Sequence, residues 1–232
     1  MPTTISYCVT TCNETDTLRQ LLITLVMHVT PEDEIVVVID KDNFSKETEQ
    51  IVLDYQKSNN REGNFKVFYY SLNKDYAAFK NKCIEHSSKD YCFHIDSDEL
   101  PPISLLGESL RLLLESNPNI ELYWVSRINI FKGVNETHAK QWGWKLDNSP
   151  TYNTLRVNFP DFQGRILKND YPRIKWTGKL HERILGYKEY SFLPAEEEWA
   201  LYHDKTIETQ IATNLRYNSQ FTKEENMGHT IK

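Results

Sequence analysis

The sequence predicts an α/β fold with a mostly parallel central sheet flanked by helices. Three observations lead there. Strand-like and helix-like stretches alternate as βαβαβαβ through the first hundred residues, the pattern of a parallel sheet with helices on both faces. Glu34–Asp40 (EIVVVID) is a continuous apolar run, as expected of a strand covered on both sides. The fourth strand-like stretch, Tyr91–Asp96, runs into an acidic cluster, Asp96-Ser97-Asp98-Glu99, and Pro101 and Pro102 stop regular structure behind it. In such sheets ligands sit at the carboxyl ends of the strands.

The elements follow in order. Thr3–Thr10 reads as the first strand. Asn13, Thr15 or Asp16 can cap a helix with Leu18, Leu21, Leu22, Leu25 and Val26 at helical spacing. Ser45–Lys57 reads as a helix with Ile51, Val52 and Tyr55 inward, and Lys66–Ser71 as the third strand. Asp75 is a good N-cap for a helix over Tyr76–His86. Beyond the acidic cluster the pattern predicts a helix over Ile103–Glu115 and one long strand over Glu121–Phe131. Lys132–Phe159 has no clear period and is too long for an ordinary connector, which predicts a mobile lid or acceptor loop. Gln163–Lys168, Ile174–Ile184 and Trp199–His203 read as short strands, and Ile207–Tyr217 as a terminal helix. The whole chain reads as one domain: 1–102 a nucleotide-binding half, 103–222 an acceptor-side half, and 223–232 a frayed tail.

Composition narrows the function classes. With 39% hydrophobic and 12% aromatic residues in 232, the chain can bury a sizeable core. A net charge of −6 disfavours a general nucleic-acid binder. The charge is uneven, however: Gln163–Lys188 is +5, leaving −11 for the rest, so a local basic surface can face an anionic group. No apolar run reaches transmembrane length and the N-terminus has no signal-peptide pattern. A cytoplasmic protein is expected, with room for peripheral contact at the inner face of a membrane. Cys8, Cys12, Cys83 and Cys92 are then reduced, and their spacing predicts no zinc site.

Thr10, Asp40, Asp75 and Asp96 all fall at or just past predicted strand ends. Each has an ordinary explanation as a cap or turn residue, but together they converge on one sheet edge. Asp96 and Asp98 are two apart, so extended geometry would aim both carboxylates to one side. Paired carboxylates repel unless a cation joins them, and oxygen ligands suit Mg²⁺ or Mn²⁺. A solvated acidic turn accounts for the same residues.

The residues resemble inverting family-2 glycosyltransferases of the GT-A fold. Val9-Thr10-Thr11-Cys12-Asn13-Glu14 is similar to that family's strand followed by T-x-x-N. Asp40 matches its base-binding aspartate, and Ala77-Ala78-Phe79-Lys80-Asn81 with Phe93–Glu99 resembles "a-x-R-N … l-D-x-D-E". Trp176–Glu182 and Tyr202-His203-Asp204 resemble the "G-x-x-H-E … H" pattern of one bacterial and phage branch. The resemblance spans about 1–205. Lys80 departs from the usual Arg, and Cys12 stands where an aromatic often stacks on the base.

The resemblance implies metal-dependent transfer of a sugar, with inversion, from a nucleoside-diphosphate sugar, first of all a UDP-sugar. It implies that Thr10, Cys12, Glu14 and Asp40 hold base and ribose, with Asp75, Lys80 and His181 also on the nucleotide-sugar side. Asp96 would contact ribose or Mn²⁺/Mg²⁺, Asp98 would bind the metal directly, and His203 would complete the metal site or contact the diphosphate. The acceptor stays open among glycan, lipid-linked sugar, protein and modified nucleobase. Inversion needs a base, and Glu182 is the candidate, flanked by Lys179, His181 and Arg183, which favour its ionised form. Asp204 is its rival because it adjoins His203. Asp161 and Asp170 sit beside prolines and read as turn residues. Trp142, Trp144 and Trp176 can stack on sugars or fill the core.

Two other readings are a sugar-phosphate nucleotidyltransferase and a non-catalytic nucleotide-sugar or glycan-binding module. The first should carry a Gly-rich loop after its first strand, and Thr10–Thr17 contains no Gly.

Overall fold

A seven-stranded sheet carries the molecule, in a computed structural model that describes residues 2–59 and 63–226. Its first strands and helices are β1 (Ile5–Thr11), α1 (Asp16–His28), β2 (Glu34–Asp40), α2 (Lys46–Asn59), β3 (Phe65–Tyr70), α3 (Tyr76–His86) and β4 (Tyr91–Asp96). β1 lies between β4 and β2, β3 is outermost, and all four are parallel. Alternation along β1 sorts the two faces. Ile5, Tyr7 and Val9 pack with Leu18, Leu21, Leu22 and Leu25 of α1, whereas Cys8 packs with Phe79, Cys83 and Ile84 of α3. Asp75 accepts the Ala78 N–H at 2.8 Å and starts α3 where its sequence predicts.

The acidic cluster does not form a simple turn. β4 ends at Asp96, and Glu99–Leu100 form a short strand, β5. The predicted helix over Ile103–Glu115 is split into a 3₁₀ turn (Ile103–Leu105) and α4 (Gly107–Ser116). Gly107 marks the break: its φ is +53°, and a Cβ there would meet His28 O at 2.5 Å.

The predicted long strand over Glu121–Phe131 is two strands that serve different sheets. β6 (Leu122–Val125) joins the large sheet and β7 (Arg127–Lys132) a second, five-stranded sheet, with buried Ser126 at the crossover. The predicted structureless Lys132–Phe159 is also corrected. It contains α5 (Glu136–Trp142), capped by the Asn135 side chain, and a hairpin of β8 (Leu146–Ser149) and β9 (Thr154–Val157).

β10 (Gln163–Lys168) then runs antiparallel between β4 and β6. The predicted strand Ile174–Ile184 is instead a two-stranded hairpin, β11 (Lys175–Thr177) and β12 (Arg183–Leu185), whose turn carries His181 and Glu182. A strand the sequence did not suggest, β13 (Tyr190–Phe192), forms the edge beside β6. β14 (Leu201–Thr206) lies in the smaller sheet between β5 and β7. α6 (Ile207–Gln220) follows, and α7 (Lys223–Asn226) occupies the start of the stretch expected to fray. The rest of that predicted tail, 227–232, lies outside the described residues. No described helix is long and apolar enough to cross a membrane.

Candidate active site

The carboxyl ends of β1, β2 and β4 open into a cleft of about 1410 Å³. That exceeds the roughly 300–1,000 Å³ of ordinary small-ligand pockets and leaves room for two substrates. The far wall comes from β7, β10, β14, the β11–β12 turn and α6.

Asp96 and Asp98 diverge in their partners. Asp96 Oδ1 lies 3.2 Å from Lys80 Nζ and Asp96 Oδ2 2.9 Å from Arg165 NH2. Burial alone would raise the Asp96 carboxyl, but Arg165 and Lys80 hold it well below the usual carboxylate range. Both of its oxygens are therefore already engaged. Glu99 is buried behind it, accepting from Arg165 NH2 at 2.5 Å and from Arg127 NH1 at 3.3 Å. Asp98 turns the other way, with Oδ2 3.2 Å from His203 Nε2. Burial opposes its charge, yet His203 in its charged form, with a hydrogen on Nε2, draws its carboxyl below the ordinary value.

His203 is buried, and its other nitrogen, Nδ1, lies 2.7 Å from Asn129 Oδ1. No group of three or more His, Cys, Asp or Glu side chains among the described residues could hold a metal by itself. Asp98, in the turn between β4 and β5, and His203 of β14 offer two donors 105 residues apart in sequence. A carboxylate and an imidazole are donors that would suit a divalent cation such as Mn²⁺ or Mg²⁺ if substrate phosphate and water supplied the rest.

Glu182 Oε1 lies 2.8 Å from Lys80 Nζ, so one buried ammonium joins the candidate base to Asp96. Burial alone would lower Lys80, but Asp96 and Glu182 raise it above the usual lysine value. Its ammonium also sits 4.7 Å from the centre of the Trp176 ring. The turn that presents Glu182 uses left-handed backbone at Gly178 (φ +94°) and His181 (φ +54°). His181 lines the cleft, with Nε2 3.1 Å from Asn226 O. Asp204, the rival base, pairs with Lys132 at 2.6 Å.

At the β1–β2 end, Thr10, Cys12, Glu14 and Asp40 line the cleft. Glu14 braces the loop by accepting from Thr11 Oγ1 and Cys12 N. Asp40 is fully buried. Its Oδ1 accepts from Leu72 N (3.1 Å) and Asp42 N (3.2 Å), and Oδ2 from Asn43 Nδ2 (2.8 Å). Burial, with Glu14 and Asp40 nearby, pushes the Cys12 thiol up to about 11. Asp75 is the exception among the predicted binding residues: it does not line the cleft, because its carboxylate is spent capping α3.

The structure adds residues that had no individual role in the site predicted from the sequence. Arg165 is buried beside Asp96, and its Nε and NH1 have no hydrogen-bond partner among the described residues. Its membership of the basic Gln163–Lys188 segment was the available signal. Lys205 follows His203 by two on β14 and sits 5.2 Å from the Phe131 ring centre, with no ion pair among the described residues. Burial lowers Lys205, and Asp98 opposes this only in part. Arg216 and Tyr217 of α6 also face the cleft. Asn129 and Asp161, from β7 and the approach to β10, complete the wall behind His203.

Comparison with known proteins agrees with this architecture. The profile of glycosyl transferase family 2 matches residues 6–167. The structure of S. aureus TarS 1–349 aligns with a TM-score of 0.58 at 16% identity, over 95% of this chain and 67% of that one. The same TarS fragment in complex with UDP-GlcNAc gives 0.56 at 18% identity, over 87% and 58%. Against the longer TarS structure the score is 0.52 at 16% identity, and the present chain spans 41% of its length. No curated protein sequence matches the chain.

Proposed function

The chain belongs to glycosyl transferase family 2, and from that premise we propose that it moves a sugar from a nucleoside diphosphate to an acceptor hydroxyl, with inversion and with a divalent cation at Asp98 and His203. One observation carries the reading. Asp98 and His203 meet 3.2 Å apart in the same cleft whose wall presents Glu182 on Lys80.

The roles follow from charge. The sugar–phosphate bond breaks as negative charge grows on the departing diphosphate. A bound Mn²⁺ or Mg²⁺ would supply Lewis-acid neutralisation of that charge. Asp98 and His203 would hold it, and Lys205, two residues along β14 from His203 and without an ion pair among the described residues, would face the same phosphates. Asp96, clamped by Lys80 and Arg165, would orient the donor rather than bind metal. Asp40, Cys12 and Thr10 would enclose the base and ribose.

On the acceptor side Glu182 would take the hydroxyl proton. Lys80, 2.8 Å from Glu182 Oε1, would hold that carboxylate in place. Trp144 lines the cleft and would offer an apolar face to an acceptor, whereas Trp176 is buried in the core against Lys80.

UDP-sugars are the first donors to test, because TarS, which shares the fold, has been captured with UDP-GlcNAc. The chain should be incubated with UDP-, GDP- and dTDP-sugars with Mn²⁺ and with EDTA, following nucleoside-diphosphate release. Metal-dependent release from one donor class supports the reading. Stabilisation by a donor with no release, with or without acceptors, overturns it in favour of a binding module.

A further inference from the structure

Asn129 and His203 stand on one rung of the smaller sheet, as Cα partners in the parallel pair β7–β14. Neighbours on a rung project to the same face. His203 Nδ1 lies 2.7 Å from Asn129 Oδ1, and Asn129 Nδ2 lies 2.8 Å from Asp161 Oδ2. Asp161 Oδ2 also accepts from Arg127 Nε at 3.1 Å and Arg127 NH2 at 2.8 Å, while its Oδ1 accepts from Gln163 Nε2 at 2.9 Å.

The hydrogens along this chain have one consistent placement. A carboxylate paired with a guanidinium has no hydrogen to give, so Asn129 must turn its NH2 to Asp161 and its oxygen to His203. The amide oxygen has no hydrogen either, so the imidazole hydrogen sits on Nδ1. In the neutral ring Nε2 then carries the lone pair, and it points at Asp98 Oδ2, 3.2 Å away. Two electron-rich atoms face each other across a gap that a cation would bridge. The ring has little freedom to escape: His203 is 3% exposed and packs edge-on to Phe131 at 6.1 Å.

We propose that Asn129, turned by Asp161, is a positioning residue that fixes His203 as the Nδ1–H tautomer and so commits Nε2 to the cation shared with Asp98. The inference rests on the metal reading given above. It extends the cleft's machinery to two wall side chains that act on the cation through His203. A hydrogen-bond partner on the far nitrogen of a ligating imidazole sets its tautomer and basicity, and loss of such partners costs about 10–100-fold in metal affinity.

The experiment combines ¹⁵N NMR of histidine-labelled full chain, without metal at about pH 8 where a typical imidazole is neutral, with calorimetry of Mn²⁺ binding in the presence of UDP. Wild type should show the His203 hydrogen on Nδ1. Asn129→Leu should shift it toward Nε2 and weaken Mn²⁺ binding by about tenfold or more. Asp161→Asn, which can donate and so lets the Asn129 amide flip, should mix the tautomers and weaken binding less. The exchange Asn129→Asp with Asp161→Asn restores an acceptor toward Nδ1 and should restore both readouts. A merely structural role would not predict that rescue. A wild-type hydrogen on Nε2, or unchanged Mn²⁺ affinity in a folded Asn129→Leu while His203→Ala binds weakly, would overturn this inference alone. Undiminished Mn²⁺ affinity in His203→Ala would overturn the metal reading beneath it.

Discussion

Lys80 Nζ lies 2.8 Å from Glu182 Oε1, and through that contact the candidate base is tied to the end of β4. The same ammonium holds Asp96, so two carboxylates of the cleft share one buried cation.

Glu182→Gln keeps the shape of the side chain and removes its basicity. Transfer should fall by ~10²–10⁴-fold with donor affinity retained. Steady-state transfer rates beside donor titrations check this. Near wild-type transfer in Glu182→Gln with a dead Asp204→Asn would move the role to Asp204.

The acid limb of stability should report Asp96 and Asp98. Both carboxyls sit below the ordinary value of 3.8 in the folded chain. As pH falls the unfolded chain takes up their protons first, so their contribution is full above that value and is lost below it, toward the folded values. Urea unfolding from about pH 6 down to about pH 3 should show that loss, and Asp96→Asn should show a shallower one. An identical slope in wild type and variant would contradict the assignment.

Asp40→Asn should damage fold and binding together. The carboxylate accepts from two backbone N–H groups and the Asn43 amide, so an amide there turns one acceptor into a donor facing donors. The expected cost is about 1–3 kcal/mol of stability, with weaker nucleoside-diphosphate binding. Denaturant curves and UDP titrations separate the two effects. Unchanged UDP affinity in the folded variant would remove Asp40 from the base site.

Lys205→Met keeps the stem over Phe131 and removes the charge. UDP should bind more weakly while uridine, which lacks phosphates, binds as before. An equal loss for both ligands would mean that Lys205 shapes the cleft rather than facing the diphosphate.

Much of the first half was legible because local signals and tertiary demands coincide there. β2 is a closed apolar run because both its faces are buried, and α3 starts at Asp75 because that side chain caps it. The Asp96–Glu99 cluster was visible as chemistry, but not the divergence of its members. That depends on Arg165 and His203, which arrive from strands 69 and 105 residues later in sequence.

The later half hid its breaks. Ser126 sits in an apolar run whose alternation continues across it, so nothing local marks the change of sheet between β6 and β7. The β11–β12 turn needs a positive φ at His181 as well as at Gly178, and a histidine does not announce a turn. Asp161 resembled a proline-flanked turn residue. Its function as an anchor for Asn129 and Arg127 exists only once β7 and β10 come together.

A cation in this cleft would depend most directly on Asp98. Calorimetry of UDP binding to wild type and Asp98→Ala, each with and without Mn²⁺, reads its role without requiring an acceptor. Mn²⁺ should tighten UDP binding to wild type and leave binding to Asp98→Ala unchanged. Equal tightening by Mn²⁺ in both proteins would contradict a cation held by Asp98 and His203.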